Sequence, residues 1–501
     1  MNRRTCLKLL LSSLASVSLP ACADTVAPPP ESRPAGASSP ANPSVPPTDT
    51  SPTPAQFSSP QAPAPEVDPD PAVRDVIVVG AGIAGLRAAQ ILQQRGQRVL
   101  ILEGRNRIGG RIWTDESAGM PLDLGASWIH GTRSNPIADI ADQLDAMLIA
   151  TNNEDLQRFD YTGRPLSSDL DDRVDALLER YFERAREHAD DQNSDVSLQT
   201  ALEAVLRKEP LNAQDLRLLN YAINTVFEHE YAADSNDLSM WHFDDQKELS
   251  GGDAIFRQGY RVIVDFLAQT LDIRLNHPVQ RVVYDDSGVT LTTAHSVLRA
   301  RAALITVPLG VLQRGGIVFD PPLAADKQRA MARTGMGLLN KCYLIFPAVF
   351  WDDATLLGYV GERKGEWTEW LNLNALLGMP VLLAFNAATF ARALESQSDE
   401  QIVQLAMHTL RTIYGADIPQ PIDYRITRWG ADPFAYGAYS FLATGATPDD
   451  YDTLAQPAGT RLFFAGEHTH RDYPATVHGA YLSGERAANE IVSLLEKVRT
   501  H

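Results

Sequence analysis

The chain has 501 residues, with 44 basic and 63 acidic side chains for a formal charge of −19, and 44% of it is hydrophobic. That length accommodates two or three domains with ample core, and the acidic balance argues against a nucleic-acid partner, whose non-specific grip rests on basic side chains. Of its cysteines, Cys6 and Cys22 lie within the first 22 residues and only Cys342 lies in the body, which excludes a disulfide framework or a thiolate metal cluster there.

The chain opens with a basic segment containing Arg3-Arg4 and Lys8, then an apolar run from Leu9 to Leu19, then Pro20-Ala21-Cys22. This is the order of a secretory signal, over residues 1–22, and the run is too short to be a permanent membrane span. Arg3-Arg4 followed by Leu7-Lys8 resembles a twin-arginine signal, whose pathway carries folded proteins. Leu19-Pro20-Ala21-Cys22 resembles a lipoprotein box, apart from its Pro20, with Cys22 as the lipidated residue. The expectation is an exported protein, periplasmic or associated with a bacterial cell envelope; a membrane tether through lipidated Cys22 and an ordinary cleaved signal are both open. Residues 23–72 are rich in Pro, Ala and Ser without apolar periodicity, which predicts a disordered tether.

Asp75-Val76-Ile77-Val78-Val79 reads as a buried parallel strand. Gly80-Ala81-Gly82-Ile83-Ala84-Gly85 follows, then a helix from Leu86 to Arg95 stopped by Gly96, and a second strand from Arg98 to Leu102. Glycines at these positions permit a tight turn and close approach of a pyrophosphate to a helix N-terminus, where free N–H groups favour an anion. Glu103, at the end of the second strand, stands where an acid accepts hydrogen bonds from ribose hydroxyls. Its charge repels a 2′-phosphate, so FAD or NAD is expected ahead of NADP. In the next loop, Arg105 to Arg111 with Gly109 and Gly110 suits a pyrophosphate, and Arg111 can pair with it; Arg105 and Arg107 read equally well as solvated surface.

Between 168 and 245, long charged stretches carry Val174, Leu177, Leu178, Tyr181 and Phe182 at helical spacing. Leu271 to Val283 alternates like strands, and Ala332 to Val349 and Val381 to Asn386 read as strands of a sheet. Lys341 lies inside an apolar run from Gly337 to Phe346, where burial would disfavour its charge; a strand-end lysine reaching solvent would look the same. No spacing of His, Cys and acidic residues suits a metal.

Several of these motifs, in this order, resemble the flavin-dependent amine oxidases. They are Glu103-Gly104-Arg105 with Gly109-Gly110-Arg111, Asp123 to Gly131 (Asp-Leu-Gly-Ala-Ser-Trp-Ile-His-Gly), Val307 to Leu312, Phe464 to Thr469, and Tyr473 to Gly484. The resemblance runs from about residue 73 to about 495 and is strongest to the branch of polyamine oxidases and flavin-type histone demethylases. It implies an α/β fold: a Rossmann-like FAD-binding domain of discontinuous segments (73–160, 246–330 and 425–495) with an interleaved α+β substrate-binding domain (161–245 and 331–424).

The resemblance also assigns roles. FAD would be held by Gly80, Gly82, Gly85, Glu103, Arg105, Gly110 and Arg111, and by the stretch Gly125, Ala126, Ser127 and Trp128. Val279 would meet the adenine through its backbone, Gly466 and Glu467 the ribityl chain, Thr476 and Val477 the pyrimidine end, and Trp429 would pack on the flavin. The catalytic candidates are Lys341, matching a lysine that reaches flavin N5 through a water; Tyr439, one wall of an aromatic cage; and His130, near the substrate nitrogen. Ala438 stands where monoamine oxidases carry the cysteine that attaches flavin, so FAD is expected to be non-covalent. Thr476 replaces their second cage tyrosine, which leaves the cage half open.

The activity implied is oxidation of an amine at its α-carbon with hydride transfer to flavin N5 and dioxygen as acceptor. The products are an imine, then an aldehyde or ketone plus amine, and hydrogen peroxide. A polyamine is the expected small-molecule substrate, with Glu228, Glu230 and Asp234 either lining its entry or forming a solvated helix face. One alternative is an L-amino-acid oxidase or tryptophan 2-monooxygenase, which needs a cation such as Arg257 or Arg261 for the substrate carboxylate. A FAD-binding sensor without turnover is the other. Nothing in the sequence sets an oligomeric state.

Overall fold

The computed structural model describes residues 74–499 and the short strand Glu66–Val67. The export signal, Cys22 and almost all of the Pro/Ala/Ser-rich tether lie outside the described residues.

Strands Arg74–Val79 and Val99–Leu102 are parallel neighbours joined by helix Ile83–Gln94. Val76, Ile77 and Val78 are completely buried, as expected for an apolar strand covered on both faces. The long strand Ser296–Ile305 organises the nine-stranded sheet. Its second half pairs in parallel with Arg74–Val79 on one side and with Leu462–Phe464 on the other. Its first half pairs antiparallel with Gly288–Thr293, which continues into Val279–Asp285. Helices Ile83–Gln94 and Val477–Arg499 lie against each other on the parallel part. They approach so closely that a Cβ at Gly484 would stand 2.3 Å from the Ala84 carbonyl oxygen.

A second sheet has six strands in the order Asp423–Ile426, Leu339–Ile345, Val381–Ala387, Glu369–Asn372, Leu356–Val360 and Leu156–Asp160. All neighbours are antiparallel except the last pair. Leu156–Asp160 therefore belongs with this sheet, slightly ahead of the change at residue 160 that the sequence suggests. Helices Ser168–Asp190, Leu198–Lys208 and Ala213–Ile223 pack beside it, burying Val174, Leu177, Leu178, Tyr181 and Phe182 in one apolar cluster. The last of these helices runs on as a π-helical turn, Asn224–Glu228, before His229. Such turns shift the side chains that follow and recur at functional sites. Among the described residues no helix is long and apolar enough to cross a membrane.

Candidate active site

A cavity of about 520 Å³ is lined by residues of both sheets. One end is the glycine turn. Gly80 has φ of +110°, a conformation that favours glycine. At Gly82 a Cβ would meet nothing within 4 Å, so its absence leaves backbone open to the cavity. Gly85 does not line the cavity, and a Cβ there would lie 2.1 Å from the Gly80 carbonyl oxygen. The third glycine seats the helix against the turn.

Glu103 accepts the Ala81 N–H at 2.7 Å on one oxygen and the Arg105 N–H at 2.8 Å on the other. A carboxylate has further lone pairs, so acceptor capacity remains at a residue that lines the cavity. Arg105 pairs through Nη1 with Asp432 at 2.7 Å, while its buried Nη2 has no partner. A buried donor without an acceptor is costly. Here it lies in a cavity that also receives the N-terminus of helix Ile83–Gln94 and that of helix Val477–Arg499. Thr476 caps the second helix, its hydroxyl accepting the Gly479 N–H at 3.0 Å. The residues present thus fit FAD, with its two phosphates and its electron-accepting ring.

Gly110, Gly125, Ala126, Ser127, Trp128, Val279 and Gly466 line the same cavity, as do Thr476, Val477 and Trp429. The Trp429 indole N–H donates to the Leu124 carbonyl at 3.1 Å, which sets the plane of the ring. Arg111 also lines the cavity. Its Nη1 donates to Glu467 at 2.9 Å and to the Ala438 carbonyl at 2.9 Å. The other Glu467 oxygen accepts the Ser440 hydroxyl at 2.6 Å and the Ala475 N–H at 2.9 Å. Burial pushes the Glu467 carboxyl up, but the charge of Arg111 and these hydrogen bonds outweigh it and hold the group below the usual range.

Lys341 is not a strand-end lysine reaching solvent. Its Nζ points inward and donates to the Asp123 carbonyl at 2.7 Å, the Gly125 carbonyl at 2.6 Å and the Ser127 hydroxyl at 2.5 Å. Burial pushes its pKa down to about 8, against the pull of Asp123. Burial likewise raises the Asp123 carboxyl to about 6, although the Thr114 hydroxyl donates to it at 2.5 Å and the Tyr260 N–H at 3.0 Å.

At the far end of the cavity stand Tyr439, His130, Phe385, His229, Glu230, Asp253 and Glu369. The Tyr439 hydroxyl donates to the His229 carbonyl at 2.9 Å. His130 Nδ1 lies 3.2 Å from Asp253, whose other oxygen accepts the Gly131 N–H at 3.0 Å. Of the three acids expected at an entry, only Glu230 lines the cavity. Glu228 is buried in an ion pair with Lys364 at 2.7 Å, and Asp234 pairs with Arg392. Arg257 is exposed, and Arg261 pairs with Glu116 and Asp265 outside the cavity.

The sequence reading does not single out Asp253, His229, Phe385 or Glu369. Glu369 carries the signal that marks Lys341, a charge between apolar strand residues (Thr368-Glu369-Trp370-Leu371). His229, on the short helix after the π-helical turn, and Asp253, in the loop before strand Ala254–Phe256, have no local signal, because tertiary packing brings them to the cavity.

The family model for flavin containing amine oxidoreductases matches residues 83–492. Polyamine oxidase 2 of Arabidopsis thaliana is 37% identical over 433 residues, covering 83% of this chain and 87% of that protein. Lysine-specific histone demethylase 1 homolog 1 of Oryza sativa subsp. japonica is 38% identical over 465 residues, 88% of this chain and 54% of that longer protein. The solved structure of putrescine oxidase bound to putrescine superposes with a TM-score of 0.66 at 21% identity, over 84% of this chain and 99% of that one, a likeness of fold. With a glycine turn and two helix N-termini opening on one cavity, and the family model spanning both sheets, the chain belongs to the flavin-containing amine oxidoreductases and its cofactor is FAD.

Proposed function

We propose that the enzyme oxidises polyamines at the carbon beside a nitrogen, and that it does so outside the cytoplasm. The observation that carries the substrate class is the charge of the cavity's far end. Glu230, Asp253 and Glu369 line it, while the lining arginines, Arg105 and Arg111, are each paired to a carboxylate. A polycation is suited to such a site; an amino-acid carboxylate would need a cation of its own there. Polyamine oxidases among the relatives support the same choice.

Bound FAD supplies the acceptor at N5 for the hydride equivalent lost from the amine, and dioxygen then takes the electrons to give peroxide. The remaining work falls to the chain. Tyr439 and Phe385 wall the amine with aromatic faces, and desolvation between them favours its neutral, reactive form. Lys341 holds a proton at Nζ between the Asp123 and Gly125 carbonyls, positioned to pass it to or from a water. Asp253 fixes the ring of His130 beside the substrate nitrogen. Ala438 offers only a backbone carbonyl, to Arg111, so the cofactor is held without a covalent link. The amino-acid oxidase reading needs a cation for the substrate carboxylate, and Arg257 and Arg261 do not line the cavity; a sensor without turnover would have no use for the buried lysine.

Flavin bleaching without oxygen, followed by peroxide release, tests the substrate class. The panel is spermine, spermidine, an acetylated polyamine, an aryl monoamine, L-tryptophan and L-phenylalanine. Polyamines should bleach the flavin fastest; bleaching by the amino acids alone would overturn the assignment. The location rests on Arg3-Arg4 and Cys22, and a route for folded proteins suits an enzyme whose folding is linked to cofactor binding. Replacing Arg3 and Arg4 by lysine should retain the enzyme in the cytoplasm, and undiminished export would refute this.

A further inference from the structure

Strand Asp423–Ile426 runs beside Leu339–Ile345 as far as the pair Cys342–Ile426. At Thr427 the pairing changes character. The Thr427 N–H still donates to the Lys341 carbonyl at 3.0 Å, but the Lys341 N–H goes to the Thr427 hydroxyl at 2.8 Å instead of a backbone carbonyl. A side chain standing in for the ladder satisfies the strand while the backbone turns away, and two residues later that turn brings Trp429 to the cavity.

What holds the turn lies outside the cavity. Helix Ala388–Glu395 ends in a carboxylate whose Oε1 accepts from Asn340 Nδ2 at 2.8 Å and from the Gly430 N–H at 2.7 Å. A Cβ on Gly430 would stand 2.7 Å from the other carboxylate oxygen, so the glycine is what admits Glu395. A carboxylate only accepts, which turns the amide oxygen of buried Asn340 toward the turn. There it accepts the Trp429 N–H at 2.9 Å and the Thr427 hydroxyl at 3.1 Å. With that proton committed, the Thr427 oxygen offers only lone pairs to the Lys341 N–H. The circuit closes on the cavity side. The Trp429 indole donates to the Leu124 carbonyl at 3.1 Å, and Lys341 Nζ donates to the carbonyls on either side of it, Asp123 and Gly125.

We propose that Glu395 is a positioning residue for flavin reoxidation. Acting through Asn340, it holds the Trp429 backbone and the Lys341 strand in one fixed relation, so that indole and ammonium meet the same three-residue segment, Asp123 to Gly125. The assignment rests on the amine-oxidase reading, and within it on the part taken by Lys341. What matters is the order of donors and acceptors, which can be reversed without changing the size of any side chain.

Asn340→Asp replaces the donor by an acceptor of the same shape and sets two carboxylates against each other. In the holoenzyme, reduced with stoichiometric dithionite and mixed with dioxygen, it should slow flavin reoxidation roughly 10- to 100-fold, the effect of a displacement of about 1 Å. The visible circular dichroism of the bound flavin should change with it. Adding Glu395→Gln supplies a donor again and leaves an amide oxygen for the Gly430 N–H, so the double variant should recover most of the rate and the wild-type spectrum. A pair that merely filled space would show neither the loss nor the recovery. Unchanged reoxidation and spectrum in Asn340→Asp, or no recovery in the double variant, overturns the assignment. If Asn340→Asp yields no holoenzyme, Glu395→Ala takes its place in both measurements, and unchanged values there overturn it equally. No amine enters these measurements, so failure of the amine-oxidase reading is seen separately, as a wild-type flavin that no amine bleaches.

Discussion

Three oxygens within 2.7 Å surround Lys341 Nζ, and each can accept one of the three protons of an ammonium. Burial works the other way and brings its pKa to about 8. The sign of the resulting pH dependence follows from linkage. Between about 8 and the ordinary lysine value the unfolded chain binds more protons than the folded one, so folding gains stability as pH rises across that window. Compared with Lys341→Met, the wild-type protein should therefore become relatively more stable above pH 8, measured as the difference in thermal midpoint. The same variant should keep its FAD and reoxidise reduced flavin roughly 100-fold more slowly; an unchanged oxidative half-reaction in stopped flow would take Lys341 out of the mechanism. At this scale the sequence was informative where chemistry is conspicuous locally. A lysine in an apolar run announces itself, whereas His229 follows the π-helical turn with nothing local to mark it.

The glycine turn and the π-helical turn show what elements add. In the first, strand, glycines, helix and Glu103 are all local, which is why they can be read from the chain without tertiary information. The role of Gly85 is the exception. It follows from the approach of two backbone segments, and Gly85→Ala places a Cβ against the Gly80 carbonyl. The helix must then shift at a cost of about 1–3 kcal/mol, and the variant should purify with less flavin per protein and a lower thermal midpoint. The second element depends on the buried Glu228–Lys364 pair. Lys364→Met leaves the carboxylate buried without its cation, a loss of about 3 kcal/mol to be read from the urea midpoint. Although burial raises the Glu228 carboxyl, Lys364 and its hydrogen bonds hold it below the ordinary range. Its contribution is therefore present at neutral pH and disappears as pH falls through that lowered value, so the gap between wild type and variant should close in acid. The sequence leaves this residue between a substrate entry and a solvated helix face, and the structure shows neither: it is buried in the π-helical turn and paired with Lys364.

Across the whole molecule, the cavity joins two sheets that the chain crosses several times. Strand Leu156–Asp160 in the second sheet and strand Leu462–Phe464 in the first both pair with partners far away in sequence. Motifs resembling a known family make the α/β fold with its Rossmann-like part legible in the chain itself. Periodicity alone does not, because it reports which face of a strand is buried and not which strand lies beside it. For the same reason the acid-lined end of the cavity was only partly visible, with Glu230 anticipated and Asp253 and Glu369 not.

The long strand Ser296–Ile305 has its neighbours supplied at very different times during synthesis. Arg74–Val79 is made nearly 400 residues before Leu462–Phe464 and before the cap and first turn of Val477–Arg499, of which Thr476, Val477 and Ala480 line the cavity. Residues through Ala480 must leave the ribosome before the cofactor has a complete place to bind, and until then the apolar face of Ile83–Gln94 has no helix to cover it. Nascent chains are thus exposed to aggregation over most of their synthesis. A chain stopped at residue 460 should accumulate colourless and insoluble, measured as flavin absorbance in the soluble fraction. Yellow colour is then a report that translation has run through the C-terminal helix.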